Sequence, residues 1–325
     1  MATIPYLTLP HSGHQIPQVG FGLWKVAPEE AANLVYEAIK SGYRLFDGAY
    51  DYGNEKEAGE GIRRAISEGI VKREDIFITT KLWNSCHEKE RAIKTGTEQV
   101  EEWGLGYIDL YLIHFPIAIA FNPKHTRGWY YDGEGEVRLE RTSIRETWEA
   151  LEELHDKGLV KDIGISNFNS QAIFDIFTYA RVLPSMLQIE HHPYLVQKNL
   201  VDFCKDQNML VTAYSSFGPQ SFLELPASFP TKAAQTPRLF DQDLIKSIAA
   251  KYGKTPGQVL LRWATQRGLC VIPKSNHKDR MLQNLDVIGF DMTPDELELI
   301  ASLDIGLHFN DPGTYLPGRP LRLFT

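Results

Sequence analysis

The stretch between residues 43 and 114 decides the fold, because three of its apolar runs end in a polar side chain. The runs are YRLFD at 43–47, DIFITTK at 75–81 and IDLYLIH at 108–114. Their last residues, Asp47, Lys81 and His114, are 34 and then 33 residues apart. One strand-and-helix unit of a parallel barrel has about that length, and the active sites of such barrels lie at the carboxyl ends of the strands. We therefore expect the three side chains to stand at neighbouring strand ends, roughly 5 Å apart.

The rest of the chain repeats this alternation of a brief apolar run with an amphipathic segment. A polar, hairpin-like lead covers 7–17, and eight apolar runs follow at 19–23, 44–47, 76–82, 108–114, 162–166, 186–190, 210–213 and 270–273. The segment PEEAANLVYEAIKSG has helical periodicity, begins with a proline and two acidic residues, and ends at Gly42. Strand then helix, eight times, predicts an α/β protein whose parallel strands close into a (β/α)8 barrel. We expect residues 1–325 to form this single domain.

The main alternative is an open, doubly wound sheet with a glycine-rich dinucleotide turn. That fold predicts the pattern G-x-G-x-x-G after a strand. The segment GFGLWK at 20–25 has only the first two glycines. The sequence therefore favours the barrel, and any dinucleotide must be held by other residues.

Three connections are much longer than the roughly two to six residues typical of loops in such barrels. They cover 115–141, 215–240 and 304–325. We expect these three long loops to lie over the C-terminal face of the barrel, because function concentrates in loops there. The alternative is that they are tolerated surface insertions.

Composition limits the choice of partners and of compartment. The net charge is −8 and no basic run occurs, so we expect neither nucleic acid nor a membrane surface as partner. Cys86, Cys204 and Cys270 are far apart and odd in number, which indicates neither a disulfide framework nor a metal cluster. The start MATIPYLTLPHSG lacks the features of a signal peptide, and no apolar stretch is long enough to span a membrane. We predict a cytoplasmic protein with a small-molecule ligand.

A fourth polar residue completes a cluster with acid–base chemistry. Tyr52 lies five residues after Asp47, in GAYDYGNE at 48–55. The ordinary pKa of a phenol is about 10, and a nearby ammonium such as that of Lys81 lowers it. We expect Asp47 to hold Lys81, His114 to donate to a carbonyl oxygen, and Tyr52 to act as the general acid. This arrangement suggests carbonyl reduction by a hydride donor without a metal; the alternative is a structural ion pair beside a strand-end histidine.

Eight motifs of the chain resemble those of a known family. The matching motifs are GFGLWK at 20–25, YRLFDGAYDYGNE at 43–55, TTKLWN at 79–84, DLYLIHFP at 109–116, GISNF at 164–168, QIEHHPY at 188–194, AYSSFGPQS at 213–221 and IPKSN at 272–276. They resemble the aldo-keto reductases, (β/α)8 enzymes that reduce carbonyls with nicotinamide cofactors. The GPQS loop, LFDGAYDYGNE and HFNDP at 308–312 look most like the fungal NAD(P)H-dependent xylose reductases of that family.

The resemblance implies a catalytic tetrad of Asp47, Tyr52, Lys81 and His114. It also implies a cofactor-binding set, with amides for the nicotinamide, a tyrosine to stack on its ring, a loop over the pyrophosphate and a basic group for the adenosine end. This set is Ser166, Asn167, Gln188, Tyr214, Ser215, Phe217, Gln220, Ser221, Glu224, Lys274, Ser275, Asn276, Arg280, Gln283 and Asn284. Lys274 and Arg280 suit the 2'-phosphate of NADPH. The alternative for PKSNHKDR at 273–280 is a solvated turn.

Glu224 extends the expected cofactor choice. A carboxylate there could accept hydrogen bonds from the ribose hydroxyls of NADH but would repel a 2'-phosphate. NADPH is therefore the expected cofactor, and NADH a second one.

The substrate pocket implied by the resemblance contains Trp24, Asp51, His114, Phe115, Trp129 and Asn310. An aromatic wall with a carboxylate and an amide suits an aldose such as D-xylose, because buried polar groups favour ligands that satisfy them. Asp51 as a turn residue and Asn310 as a helix cap are the competing interpretations. L-arabinose, another sugar, a uronate or a keto compound are alternative substrates, and a cofactor-binding barrel without catalysis is the alternative of another class.

Two further features give weaker indications. The pair His191 and His192 has neither an HExxH pattern nor an acidic partner pattern, so we assign it to packing rather than to a metal. No heptad repeat indicates a coiled coil, and either a monomer or a homodimer is expected.

Overall fold

A short hairpin precedes the main sheet of the computed structural model, which describes residues 4–225, 229, 231–316 and 321–324. Strands β1 (Tyr6–Thr8) and β2 (Gln15–Pro17) pair antiparallel. Leu9 and Ile16 of this hairpin are buried against Leu45, Leu110 and Met186. Each buried aliphatic side chain contributes about 1.5–3 kcal/mol. The hairpin that was predicted for the lead at 7–17 is present, and these contacts hold it across the amino-terminal end of the barrel.

Eight parallel strands follow in the order of the chain. They are β3 (Phe21–Gly22), β4 (Leu45–Asp47), β5 (Phe77–Leu82), β6 (Ile108–Ile113), β7 (Val160–Ser166), β8 (Met186–Glu190), β9 (Leu210–Tyr214) and β10 (Cys270–Val271). Val19 pairs in parallel with Val271, and Gly20 donates from its backbone N–H to the Val271 carbonyl at 2.8 Å. The last strand therefore meets the first, and the predicted (β/α)8 barrel is confirmed.

All eight predicted strands are present, but the two at the seam are shorter than predicted. The run at 19–23 contains a strand of two residues, and the run at 270–273 ends as a strand at Val271. Pro273 cannot continue the ladder because it has no N–H to donate. Gly22 faces the same seam, and a Cβ atom on it would lie 2.6 Å from the carbonyl oxygen of Ile272. Close backbone approach explains why a glycine ends the first strand.

Eleven α-helices occur among the described residues, most of them around the barrel. They are α1 (Pro28–Ser41), α2 (Glu55–Ser67), α3 (Lys89–Trp103), α4 (Ile144–Asp156), α5 (Ser170–Phe177), α6 (Lys198–Asp206), α7 (Asp243–Tyr252), α8 (Pro256–Gln266), α9 (Lys278–Leu285), α10 (Pro294–Ala301) and α11 (Pro312–Tyr315). The first matches the predicted segment, and Gly42 ends it with a φ of 114°. Within the described part of the chain, no helix has both the length and the apolar character that a membrane span needs.

The three long connections lie at the carboxyl-terminal end of the barrel. In the first, at 115–141, an antiparallel bridge between Ile119 and Leu139 brings the two ends of the loop together. The second, at 215–240, forms three short 3-10 helices, Gly218–Ser221, Lys232–Gln235 and Leu239–Asp241. The third, at 304–325, contains α11. Residues 226–228 and 230 of the second loop, and 317–320 and 325 of the third, lie outside the described residues.

Candidate active site

A cleft of about 940 Å³ opens at the carboxyl ends of the strands. The three long loops form part of its wall through residues such as Trp129, Phe217 and Asn310. Every residue that the sequence assigned to the site lines this cleft except Lys81, which is buried beneath the floor and reaches Tyr52 from below. The structure therefore brings the predicted residues together.

The floor of the cleft contains an ion pair that is almost completely buried. Lys81 ends in Nζ at 2.6 Å from Oδ1 of Asp47, and the two residues are 1% and 2% exposed. The same Nζ donates to the Gly48 carbonyl at 2.7 Å and to the Tyr52 hydroxyl at 3.4 Å. Burial lowers the pKa of Lys81, while the Asp47 carboxylate opposes that shift. The lysine is thus fixed as a donor beneath the phenol.

The sequence led us to expect that Lys81 lowers the pKa of Tyr52, and this prediction is wrong for the structure. Burial raises the pKa of Tyr52 well above its usual value, and the carboxylates of Asp47 and Asp51 add to that effect. The Asp47 charge, which holds the lysine, opposes ionisation of the phenol. Tyr52 is therefore held protonated as a donor, and the role left to Lys81 is to stabilise negative charge that develops on its oxygen.

His114 follows strand β6 and closes one side of the cluster. Its ring stacks on Phe115 at 5.2 Å and meets Trp83 edge-on at 5.1 Å. Burial, followed by the nearby Lys81 charge, holds the pKa of His114 well below its usual value. Its Nδ1 is buried and has no hydrogen-bond partner among the described residues. A neutral imidazole in this position has one N–H to donate.

A chain of hydrogen bonds connects the next strand ends to the ion pair. Ser166 Oγ donates to the Gln188 carbonyl at 2.9 Å, and Gln188 Nε2 donates to Asp47 Oδ2 at 2.7 Å. Asn167, with a φ of 64°, donates from Nδ2 to the His114 carbonyl at 2.9 Å. All are at most 8% exposed. The amide-bearing residues predicted for nicotinamide thus form one bonded group with the catalytic floor.

Tyr214 and Asn310 continue this network to the rim. The Tyr214 hydroxyl donates to Asn167 Oδ1 at 2.7 Å, and Asn310 Nδ2 donates to the Tyr214 oxygen at 3.1 Å. Tyr315, from the same tail as Asn310, donates its hydroxyl to Asn310 Oδ1 at 3.1 Å. The predicted substrate residue on the tail is therefore bonded to the predicted nicotinamide-stacking residue.

The residues of the outer cleft fit a dinucleotide. In the loop at 215–221, both amide atoms of Gln220 are buried without a hydrogen-bond partner among the described residues. Lys274 is half-buried and Arg280 is exposed, and neither has an ion-pair partner in the described part of the chain. These two cations and this buried amide, all at one end of the cleft, are donors of the kind that a phosphate-bearing ligand requires.

Glu224 lies at the edge of this outer region. Its side chain is 76% exposed and its carboxylate is 3.9 Å from Lys25 Nζ. Lys25 also donates to the Ser221 carbonyl at 2.5 Å, so it joins the first strand–helix connection to the loop over the outer cleft. Lys25 was not among the residues predicted for the site; its place as the last residue of GFGLWK at 20–25 was the only signal in the sequence.

Aromatic side chains form the wall opposite the cofactor-type residues. Trp83 and Trp129 lie 5.2 Å apart and Phe115 lies 5.0 Å from Trp129, all edge to face. Asp51 accepts a hydrogen bond from the Gly128 N–H at 2.6 Å. Burial raises the pKa of Asp51 to about 6 against that hydrogen bond. Asp51 therefore both borders the predicted substrate pocket and anchors the loop at 115–141. Trp83 and Tyr315 were not predicted.

Both histidines of the pair are fully buried, which fits their assignment to packing, but one of them has an acidic partner that the sequence interpretation did not include. His192 Nε2 lies 2.9 Å from Glu190 Oε1, whereas His191 stacks on Trp263 at 4.9 Å. Among the described residues, no group of three or more metal-ligating side chains is present.

The comparisons with known proteins agree on one protein family. A profile described as the aldo/keto reductase family matches residues 18–305. The chain is 56% identical over 317 residues to a protein of Emericella nidulans named a probable NAD(P)H-dependent D-xylose reductase, covering 97% of this chain and 98% of that protein. It is 52% identical over 318 residues to an NAD(P)H-dependent D-xylose reductase of Pyricularia oryzae, covering 97% of each. A crystal structure of a Bombyx mori aldo-keto reductase in complex with NADP has a TM-score of 0.84 at 34% identity, covering 96% of each chain.

Proposed function

The chain belongs to the aldo/keto reductase family, and from that premise we propose that it reduces aldoses such as D-xylose to alditols with NADPH, and with NADH as a second cofactor. The observation that carries the proposal is the buried Asp47–Lys81 pair beneath the Tyr52 hydroxyl, at the floor of a cleft. At the other end of this cleft are Lys274 and Arg280, two cations without an ion-pair partner among the described residues. The relatives named as D-xylose reductases support the choice of substrate.

The residues of the floor have separate roles in this reaction. When bound, the reduced nicotinamide supplies the hydride that the carbonyl carbon accepts. Tyr52 transfers its hydroxyl proton to the carbonyl oxygen, so that one hydride and one proton convert the aldehyde to an alcohol. Lys81 stabilises the phenolate that remains, and Asp47 holds the lysine in place. His114 donates its single N–H to the same carbonyl oxygen and orients it.

Binding residues position the cofactor and the sugar. We assign Ser166, Asn167 and Gln188 to the carboxamide of the nicotinamide, with Tyr214 against its ring. The loop residues Ser215, Phe217, Gln220 and Ser221 cover the pyrophosphate, and Lys274, Ser275, Asn276, Arg280, Gln283 and Asn284 take the adenosine end, with Glu224 at the ribose of NADH. Trp24, Asp51, Phe115, Trp129 and Asn310 border the sugar. Each assignment uses a side chain that lines the cleft.

The loss of absorbance at 340 nm tests the proposal. The protein is mixed with NADPH or NADH and, separately, with D-xylose, L-arabinose, D-glucose, glyceraldehyde and glucuronate. We expect turnover with D-xylose and a lower KM for NADPH than for NADH. Turnover of glucuronate alone would favour a uronate as the substrate class, and cofactor binding without turnover of any of these compounds would favour the non-catalytic barrel.

Three statements about the whole protein stay predictions: a single domain over residues 1–325, a cytoplasmic location, and a monomer or homodimer. Size-exclusion chromatography with light scattering decides the oligomeric state, because a monomer has a mass of 36.9 kDa.

A further inference from the structure

Glu190, at the end of strand β8, connects the barrel to the tail. Its side chain is 1% exposed and both carboxylate oxygens accept the Phe309 N–H, at 3.0 and 3.2 Å. Oε2 also accepts the Asn310 N–H at 3.0 Å, across 120 residues of sequence. On the other side, His192 Nε2 lies 2.9 Å from Oε1. One buried carboxylate thus receives two consecutive backbone N–H groups of the tail.

The charge of Glu190 is stabilised by these neighbours. Burial alone would raise the pKa of Glu190, but the hydrogen-bond contact with His192 and the nearby His308 ring outweigh it and bring that pKa to about 2. His308 Nδ1 lies 3.7 Å from Oε2, and its ring stacks on Phe324 at 4.2 Å. A buried carboxylate that keeps its charge is a strong acceptor for backbone N–H groups.

The anchored segment carries contacts that reach both halves of the cleft. Asn310 bridges the hydroxyls of Tyr214 and Tyr315 through its two amide atoms. The ring of the preceding residue, Phe309, packs 5.6 Å from Phe222, beside the loop at 215–221. A backbone shift at residues 309 and 310 would therefore displace the Asn310 amide from the sugar side of the cleft.

We propose that Glu190 is a positioning residue for sugar binding: it fixes residues 309 and 310 so that the Asn310 amide faces the hydroxyl-bearing part of the substrate. This inference rests on the proposed function of the cleft. Glu190 acts through the tail and lies apart from the carbonyl that reacts. Its loss therefore impairs polyhydroxylated aldehydes and spares an aldehyde too short to reach the tail.

The test is Glu190→Gln, which keeps the shape of the side chain but turns one acceptor oxygen into a donor amide facing N–H groups. We expect the KM for D-xylose to rise about tenfold, which corresponds to the loss of one charge-assisted hydrogen bond. The kcat/KM for propanal and the Kd for NADPH should stay within about twofold. A parallel fall for D-xylose and propanal would overturn the positioning role.

Glu152→Gln is the matched control. Glu152 on α4 is 7% exposed and its carboxylate accepts the backbone N–H groups of Arg181 and Val182 at 2.7 and 2.8 Å. It is the same kind of buried anchor, but none of these three residues lines the cleft. We expect this variant to lose thermal stability while the ratio of kcat/KM between D-xylose and propanal stays that of the wild type. A changed ratio in this control would contradict the proposal.

Hydrogen exchange separates the failure of this inference from the failure of the proposed function. Amide exchange at residues 309 and 310 should be faster in Glu190→Gln than in the wild type, whether or not the protein turns over any sugar. Unchanged exchange would overturn the anchor. Faster exchange in the variant without sugar turnover by the wild type would instead overturn the proposed function, and with it the role of Glu190 in sugar binding, but not the anchor. If Glu190→Gln does not fold, Glu190→Asp keeps the charge but withdraws the oxygens by one methylene, and the same expectations apply.

Discussion

The floor and the outer end of the cleft differ in the burial and the pairing of their charged side chains. At the floor, Lys81 and Asp47 are 1% and 2% exposed and paired at 2.6 Å. At the outer end, Arg280 is exposed and Lys274 is half-buried, and neither has an ion-pair partner within the described residues. The floor charges are paired in the absence of a ligand, whereas the two outer cations have no such partner in the described part of the chain.

This difference implies that the floor serves catalysis and that the outer end serves ligand affinity. Groups that are fixed and desolvated in the fold can act on a developing charge without further reorganisation. Open cations gain a partner on binding, so they contribute to ligand affinity and to the choice between ligands. We therefore expect floor variants to change kcat and stability, and outer variants to change the KM of the cofactor with little effect on stability.

The largest expected effect follows removal of the floor cation. Lys81→Met should lower kcat for D-xylose by about a thousandfold or more and lower the free energy of unfolding by roughly 3–5 kcal/mol, because it leaves the buried Asp47 without its counter-charge. Steady-state kinetics and urea unfolding measure the two changes. Lys161→Met, at the amino-terminal end of β7, is the control and should change neither kcat nor the free energy of unfolding. A kcat within tenfold of the wild-type value would contradict the catalytic role of the Lys81 cation.

The next effect concerns Glu55, a carboxylate buried behind the floor. Thr80, Gln99 and Trp103 donate hydrogen bonds to it, yet burial outweighs them and raises the pKa of Glu55 to about 7. Between the ordinary carboxyl pKa and that value, the folded protein binds this proton more tightly than the unfolded chain does. The contribution of Glu55 to stability is therefore full below about pH 4.5 and is lost as pH rises to about 7, by at most roughly 3 kcal/mol.

Glu55→Gln tests this pH dependence, because an amide does not titrate. Urea unfolding of the wild type and the variant is compared at pH 5 and pH 8. We expect the variant to gain stability relative to the wild type at the higher pH. The same difference at both pH values would show that Glu55 does not titrate in this window.

At the outer end, Arg280→Ala should raise the KM for NADPH by about 10- to 100-fold. The reason is the loss of a charge-assisted contact with the 2'-phosphate, which NADH lacks. The KM for NADH, the kcat and the unfolding free energy should change little. Lys278→Ala removes a charge from the same helix, α9, at a residue outside the cleft lining, and serves as the control. Equal losses with both cofactors would remove Arg280 from the recognition of the phosphate.

The smallest effect is expected at the exposed rim. Glu224→Ala should raise the KM for NADH by about two- to fivefold and leave NADPH unchanged or slightly favoured, since a side chain that is 76% exposed contributes little. Parallel cofactor titrations measure both. Equal losses for NADH and NADPH would contradict the assigned role.

The sequence predicted the barrel and many side chains of the cleft, but not Lys25, Trp83 or Tyr315. Equal spacing of Asp47, Lys81 and His114 predicted neighbouring strand ends, and strand ends in a parallel barrel converge whatever lies between them. Ser166, Gln188 and Tyr214 were expected from the family resemblance, and each lies at the carboxyl end of its strand. The two strands at the seam were predicted too long, because the sequence does not show where the barrel closes.

Contacts between distant segments and the balance of charges could not be predicted. Glu190 meets Phe309 across 119 residues, and no periodicity in the sequence indicates that pairing. Glu55 begins a helix as an ordinary acidic residue would, so its burial was not visible. The pKa of Tyr52 depends on how burial and Asp47 compare with Lys81, which only the positions of all these groups decide.

The most direct measurement is single-turnover reduction of D-xylose by Tyr52→Phe, with NADPH binding measured in the same sample by protein fluorescence. Removal of the hydroxyl takes away the proton donor and leaves the Asp47–Lys81 pair and the outer cations in place. We predict that the rate of hydride transfer falls by about a thousandfold or more while the Kd for NADPH stays within twofold. A rate within tenfold of the wild type at unchanged NADPH affinity would contradict the account.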